Sequence, residues 1–218
     1  MGWHDGIQAV IFDLDGTLVD SECRVDDAVR AALSTADIDP TGVDYEAFYG
    51  RTWNVIAAEL RAQYTHLTLT AADLEQRFFD LCMSRPPPPI PGAAEMVRYG
   101  AQLGPVAICT SSHRAWLEGA IAQLGIANEV TTTVCANDVT KSKPNPQPYL
   151  LAAERLKIAP AHCAVFEDSI PGLQAAHAAG MKTIAVLQTA NAPLKSRALA
   201  AHSITNYQEL LPSQNPAT

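Results

Sequence analysis

A chain of 218 residues is long enough for one large domain, or for a domain carrying a smaller insertion, and long enough to bury a substantial core. Hydrophobic residues make up 48% and charged residues 17%, and 15 basic against 23 acidic side chains leave a formal net charge of −8. That balance argues against a nucleic-acid binder or a polybasic membrane protein, yet it admits an anionic small molecule, because one metal ion and a few local donors reverse the field inside a pocket.

The opening residues, MGWHDGIQAVIF, show no basic segment ahead of a long apolar run, so no signal peptide is expected. No apolar stretch approaches the ~18 residues of a membrane span. The first apolar run, AVIF at 9–12, reads as a buried strand and leads straight into Asp13 and Asp15, followed by Gly16 and Thr17. From about Glu22 to Ser84 no convincing strand follows. Helical patterns run near 24–35, 52–64 and 71–83, with Thr70 and Asp73 spaced as a capping box. The run RPPPPIPG at 85–92 then stops any helix. This span is several times longer than the roughly dozen residues a crossover needs, so it reads as an inserted helical subdomain with the prolines as its return linker.

Beyond it, strands are expected at VAIC (106–109), TTVC (132–135), CAVF (163–166) and TIAVL (183–187). None alternates strictly, as befits parallel strands covered on both faces. Helical stripes lie between them at 114–124, 147–156 and 171–179, the first and last ended by Gly125 and Gly180. The alternation predicts an α/β fold with a parallel sheet. The five scattered cysteines, Cys23, Cys82, Cys109, Cys135 and Cys163, form no C-x-x-C pair and read as reduced thiols of a cytosolic protein.

In open α/β sheets, ligands bind beyond the carboxyl ends of the strands. Here those ends carry Asp13 and Asp15, then Thr110 to Arg114 (TSSHR), then Lys141 and Lys143 within ANDVTKSKPNP, then Glu167 to Ser169 (EDS). If the strands are neighbours, these groups converge. Hard oxygen ligands without a His or Cys cluster suit Mg²⁺ better than zinc. A helix start with Thr110 and Ser111 suits phosphate oxygens, and a lysine supplies a point charge. Metal, lysine and helix start together make a phosphoryl-transfer site. No G-x-x-x-x-G-K-[ST] occurs, so it is not a P-loop, and a carboxylate is left as the attacking group. Cys109 reads as a small core residue beside the site.

These segments resemble the four motifs of the haloacid dehalogenase superfamily: DLDGT, AICTS, Lys143 in KPNPQPY, and VFEDS. EDSIPGLQAAHAAGM resembles the extended fourth motif of the branch with a helical cap. The resemblance implies an α/β, Rossmann-like parallel-sheet core over 1–18 and 90–218, with a helical cap over 19–89. It implies that Asp13 attacks phosphorus to form an aspartyl-phosphate, and that Asp15 protonates the leaving alcohol and then activates water. Mg²⁺ would be held by the Asp13 carboxylate, the Asp15 backbone carbonyl and Asp168, with Glu167 in or next to that shell. Thr110 and the Ser111 N–H would bind phosphoryl oxygens and Lys143 would neutralise charge beside Asp13. Ser142 stands where the family often has Gly, and Lys141 is the competing lysine.

Within the superfamily, Asp15 and Gly16 argue against a dehalogenase proper, and a segment 22–84 without lysine argues against a Schiff-base phosphonate hydrolase. The β-phosphoglucomutase branch carries a His and an Arg whose places align with Val25 and Trp53 here, and Arg51 is out of register by two. The expected function is therefore a Mg²⁺-dependent phosphatase of small sugar or polyol phosphates, with a sugar phosphomutase as the alternative. Glu22, Arg24 and Arg51 are candidates for contact with the leaving group. The expected setting is the cytoplasm, with a small phosphorylated metabolite, no nucleic acid or membrane partner, and a monomer or weak homodimer.

Overall fold

A computed structural model describes residues 2–48, 51–187 and 199–212. Contacts divide the chain into two compact units, one made of the residues up to Val19 together with those from Pro89 onward, the other of Asp20–Pro88.

The larger unit is built on a six-stranded parallel sheet: β1 (Ala9–Phe12), β2 (Val106–Cys109), β3 (Val130–Val134), β4 (Cys163–Glu167), β5 (Lys182–Val186) and β6 (His202–Ile204). Their spatial order is β3-β2-β1-β4-β5-β6. Every residue of β1, β2 and β4 is buried, which explains their unbroken apolar runs. One face of these strands presents Ala9, Ile11, Ala107, Cys109 and Val165 to α6 (Gln147–Leu156) and α7 (Ile170–Ala178). The other face carries an aromatic stack, with Phe12 and Phe166 rings 4.9 Å apart and Trp3 edge-on to Phe166 at 5.1 Å. Offset and edge-on pairs of this kind add about 0.5–1.5 kcal/mol beyond the area they bury.

Helix α5 (Arg114–Leu124) follows β2 and ends on Gly125 in the left-handed conformation, where Gly carries no Cβ penalty. No clear apolar stripe marks a helix between the proline run and β2, yet α4 (Ala93–Leu103) lies there. Its backbone comes close to the sheet at Gly100, where a Cβ would sit 3.4 Å from Val10. That small residue replaces the larger apolar ones that make a helical stripe legible. The three-residue β6 was missed as well, being too short to show a run. β3 starts two residues before the expected TTVC segment, because its partly exposed threonines belong to an edge strand rather than to the core.

The smaller unit contains α1 (Glu22–Thr35), α2 (Trp53–Gln63) and α3 (Ala71–Ser84), packed through Val29, Leu33, Ile56, Leu60 and Leu74. The capping box forms: Thr70 Oγ1 accepts from the Asp73 N–H at 3.1 Å, and Asp73 accepts from the Thr70 N–H at 2.9 Å. Arg24 and Arg85 both donate to Asp27, at 2.9 and 2.7 Å, tying the start of α1 to the residue after α3. No helix among the described residues is long and apolar enough to cross a membrane.

Far along the chain, fully buried Tyr207 donates its hydroxyl to the Thr17 carbonyl oxygen at 2.9 Å. This bond anchors the loop that follows β1 to the last described segment. Tyr207→Phe leaves that carbonyl without its donor and should cost about 1–2 kcal/mol, read as a lowered urea midpoint by circular dichroism. An unchanged midpoint would show that the loop does not depend on this anchor.

Candidate active site

The order of the strands decides what meets. β1 lies between β2 and β4, so the residues that leave these three strands at their carboxyl ends emerge side by side. The Asp13 N–H donates to the Phe166 carbonyl oxygen at 2.9 Å, carrying the sheet ladder one residue past β1 and placing Asp13 beside Glu167 and Asp168. Among the described residues, Asp13, Glu167 and Asp168 each offer a carboxylate oxygen within 4.8 Å of the others.

Such proximity of buried acids requires a counter-charge. Lys143, whose side chain is 6% exposed, supplies one: its Nζ donates to Asp13 Oδ1 at 2.5 Å, to Glu167 Oε1 at 2.7 Å and to the Cys109 carbonyl oxygen at 3.2 Å. Lys141 is exposed and takes part only through its backbone, its N–H donating to Gln147 Oε1. Burial disfavours the Lys143 ammonium, but Asp13 and Glu167 outweigh it and hold its pKa well above the usual lysine value. Burial also pushes the Asp13 carboxyl up to about 8, against the pull of Lys143 and with help from Glu167 and Asp15.

Glu167 is fully engaged. Besides Lys143 it accepts from Tyr149 Oη at 3.2 Å on Oε1, and from the Ser169 N–H at 2.7 Å and Ser169 Oγ at 2.9 Å on Oε2. Ser169 Oγ in turn accepts from the Gly172 N–H at 3.1 Å, capping α7. Gly172 must be glycine, because a Cβ would lie 1.7 Å from Glu167 Oε1. Asp168 accepts from Thr17 Oγ1 at 3.1 Å and sits against Gly16, where φ is +78° and a Cβ would lie 2.3 Å from Asp168 Oδ2. The glycine of the first motif thus serves both a left-handed turn and the close approach of an acid.

Asp15 points to a different set of partners. Its Oδ2 accepts from Ser112 Oγ at 2.7 Å and Thr110 Oγ1 at 3.2 Å, and its Oδ1 accepts from Trp116 Nε1 at 3.0 Å. Ser112 and Trp116 escaped the sequence reading, the latter because its place on the apolar stripe of α5 made it look like core alone. Its indole is indeed buried, at 2% exposure, but one edge is polar. Ser111 is exposed and lines, with Thr110, Thr140 and Ser142, a pocket of about 150 Å³. Cys109 is buried and its thiol is pushed up to about 12 by burial, which removes it as a nucleophile at ordinary pH. Glu22 and Arg51 lie in the smaller unit, where Glu22 opens α1 and Arg51 pairs with Glu59.

The chemistry of the donor set fits a hard divalent cation: three carboxylates with oxygens within 4.8 Å of one another, and no sulfur or imidazole in the group. A phosphate ester would bring more negative charge to the same place, so the ester and the cation suit each other.

Residues 7–180 match the family model of haloacid dehalogenase-like hydrolases. Over 181 residues the chain is 35% identical to a bifunctional riboflavin kinase/FMN phosphatase of Arabidopsis thaliana, covering 81% of this chain and 48% of that protein, so it spans about half of that relative's length. Over 192 residues it is 32% identical to fructose-1-phosphate phosphatase YqaB of Escherichia coli (strain K12), covering 84% of this chain and 98% of that one. A solved HAD family hydrolase from Deinococcus radiodurans R1, with bound phosphate and sodium, superposes with a TM-score of 0.73 at 28% identity, over 94% of this chain and 93% of that one.

Asp138 ties the start of α5 to the segment after β3 and to α6. Its Oδ2 accepts from Arg114 Nη2 at 2.7 Å and the Cys135 N–H at 2.9 Å, and its Oδ1 accepts from Arg155 Nη2 at 3.2 Å. Burial opposes its ionisation, but the bonds from Arg155 and Cys135 prevail and hold the carboxyl well below its usual value of 3.8. A depressed folded-state pKa contributes stability above the unfolded value, and that contribution drains away as pH falls through the folded one. Asp138→Asn should therefore cost about 1.5–3 kcal/mol near neutral pH. In thermal melts taken at decreasing pH, the gap to the unsubstituted protein should close below 3.8; a gap of constant size would show that ionisation of Asp138 does not contribute.

Proposed function

The chain belongs to the haloacid dehalogenase-like hydrolase family, and from that premise we propose that it is a Mg²⁺-dependent phosphatase of small phosphorylated metabolites, acting through an aspartyl-phosphate. The observation that carries this reading is the placing of Asp13, a buried carboxylate at the end of a central strand, held by Lys143 with two further acids around it. The relatives are named for FMN and fructose 1-phosphate, both monoesters of polyhydroxylated alcohols, and a sugar or polyol phosphate is the substrate class we assign.

Asp13 and Asp168 would hold the cation by their carboxylates and Asp15 by its backbone carbonyl, with Glu167 beside them, its oxygens already committed to Lys143, Tyr149 and Ser169. Bound there, Mg²⁺ supplies charge neutralisation for the phosphoryl oxygens and for the attacking carboxylate. Lys143 fixes one oxygen of Asp13, which leaves the other to meet phosphorus. The Thr110 hydroxyl and the Ser111 N–H, at the turn before α5, take phosphoryl oxygens. Asp15 gives a proton to the ester oxygen as the P–O bond breaks, and the alcohol leaves. It then takes a proton from water as that water attacks phosphorus, releasing inorganic phosphate and restoring Asp13. The five free cysteines, all buried except the half-buried Cys23, suit the reducing cytoplasm in which we place the enzyme.

Asp13→Asn keeps the shape and removes the nucleophile. Release of phosphate from a panel of sugar and polyol phosphates should fall by about a thousandfold or more while the circular dichroism spectrum is unchanged. EDTA should abolish turnover by the unsubstituted protein and added Mg²⁺ should restore it. Retained phosphate release by the folded Asn variant, or formation of an isomeric sugar phosphate in place of inorganic phosphate, would refute the reading.

A further inference from the structure

We propose that Trp116 and Ser112 are positioning residues for Asp15, holding its carboxyl so that the travelling proton resides on Oδ2, the oxygen beside the phosphoryl-binding Thr110. The inference rests on the reading of Asp15 as the general acid and base.

An indole N–H donates and never accepts. Trp116 Nε1, 3.0 Å from Asp15 Oδ1, therefore pairs with that oxygen as an acceptor in either protonation state. A carboxyl proton beside it would face another hydrogen, so the proton is directed to Oδ2. There the partner is Ser112 Oγ at 2.7 Å, a hydroxyl that donates to the carboxylate and accepts from the acid. The pair thus fits both charge states without moving. The third donor is shared: Thr110 Oγ1 stands 3.2 Å from Oδ2, its oxygen also accepts from the Ser112 N–H at 3.0 Å, and it has a single proton to give. When an ester arrives, that proton goes to a phosphoryl oxygen, and Ser112 and Trp116 remain as the partners of Asp15.

The two residues can hold Asp15 because they are themselves fixed. Trp116 is 2% exposed and stands in the first turn of α5. A rigid donor at the start of a helix keeps the acid at a defined distance from the leaving oxygen, and misplacement by about 1 Å costs on the order of a hundredfold in rate.

The test uses a series of ring-substituted phenyl phosphates running from p-nitrophenyl to unsubstituted phenyl phosphate, with kcat/KM measured for each. The proton donor matters most for the poorest leaving group, so the dependence of rate on leaving-group basicity reports whether the acid is in place. Trp116→Phe should lower kcat/KM for phenyl phosphate by about 10–100-fold and change p-nitrophenyl phosphate by less than about threefold. Because the phenyl ring leaves space in a buried site, the same series is run with a benzothiophene analogue at Trp116, which keeps the bicyclic shape and lacks the N–H. It should reproduce the steepened dependence. A parallel loss across the series in both proteins, or no change with the analogue, overturns the proposal. Asp15→Asn is the reference: it should steepen the dependence at least as much. A shallow dependence in that variant would instead overturn the role of Asp15 itself, and the inference with it.

Discussion

One ammonium between two buried carboxylates organises the site. Lys143 reaches Asp13 and Glu167 at 2.5 and 2.7 Å, with all three side chains less than 10% exposed. Removing Lys143 leaves two buried carboxylates without their ammonium, a defect on the order of several kcal/mol, so the loop carrying Lys143 holds the ends of β1 and β4 in place. Asp168 joins the cluster, and three carboxylates this close together are the property that would draw a divalent cation.

The remaining hydrogen bonds give each acid a different set of partners. Asp13 is fixed on one oxygen by lysine, Glu167 is saturated on both, Asp168 accepts from Thr17, and Asp15 is turned toward α5. Four carboxylates that look alike in sequence thus differ in the partners that hold them. Differences of environment, not of side chain, assign acid, nucleophile and ligand roles in such clusters. The loop from Gly16 to Val19 is held from both sides, by Asp168 pressed against Gly16 and by Tyr207 bound to Thr17.

The two units divide stabilisation between different devices. The larger unit is secured by strands buried on both faces and by an aromatic stack, while the smaller relies on three helices with a capping box and an Arg–Asp–Arg cluster. Helices that meet through local stripes and caps keep their stability close to the chain. A parallel sheet draws on partners more than a hundred residues apart, and its function is spread over the chain in the same way.

Much of this was legible in the amino-acid order. Apolar runs marked five of the six strands, because strands buried on both faces leave an uninterrupted signal. Periodicity, caps and the proline run marked the helices α1, α2 and α3, since each acts within a few residues. The acids, the lysine and the hydroxyls that follow the strands were visible as residue types with the right spacing. What local pattern could not reveal was who touches whom. Trp116 reads as core on any helical projection, and its bond to Asp15 spans 101 positions. Tyr207 reaches Thr17 across 190, and α4 hides its packing behind Gly100. Those contacts exist only once the sheet order sets β1 between β2 and β4, because hydrogen bonds form over about 3 Å of space irrespective of distance along the chain.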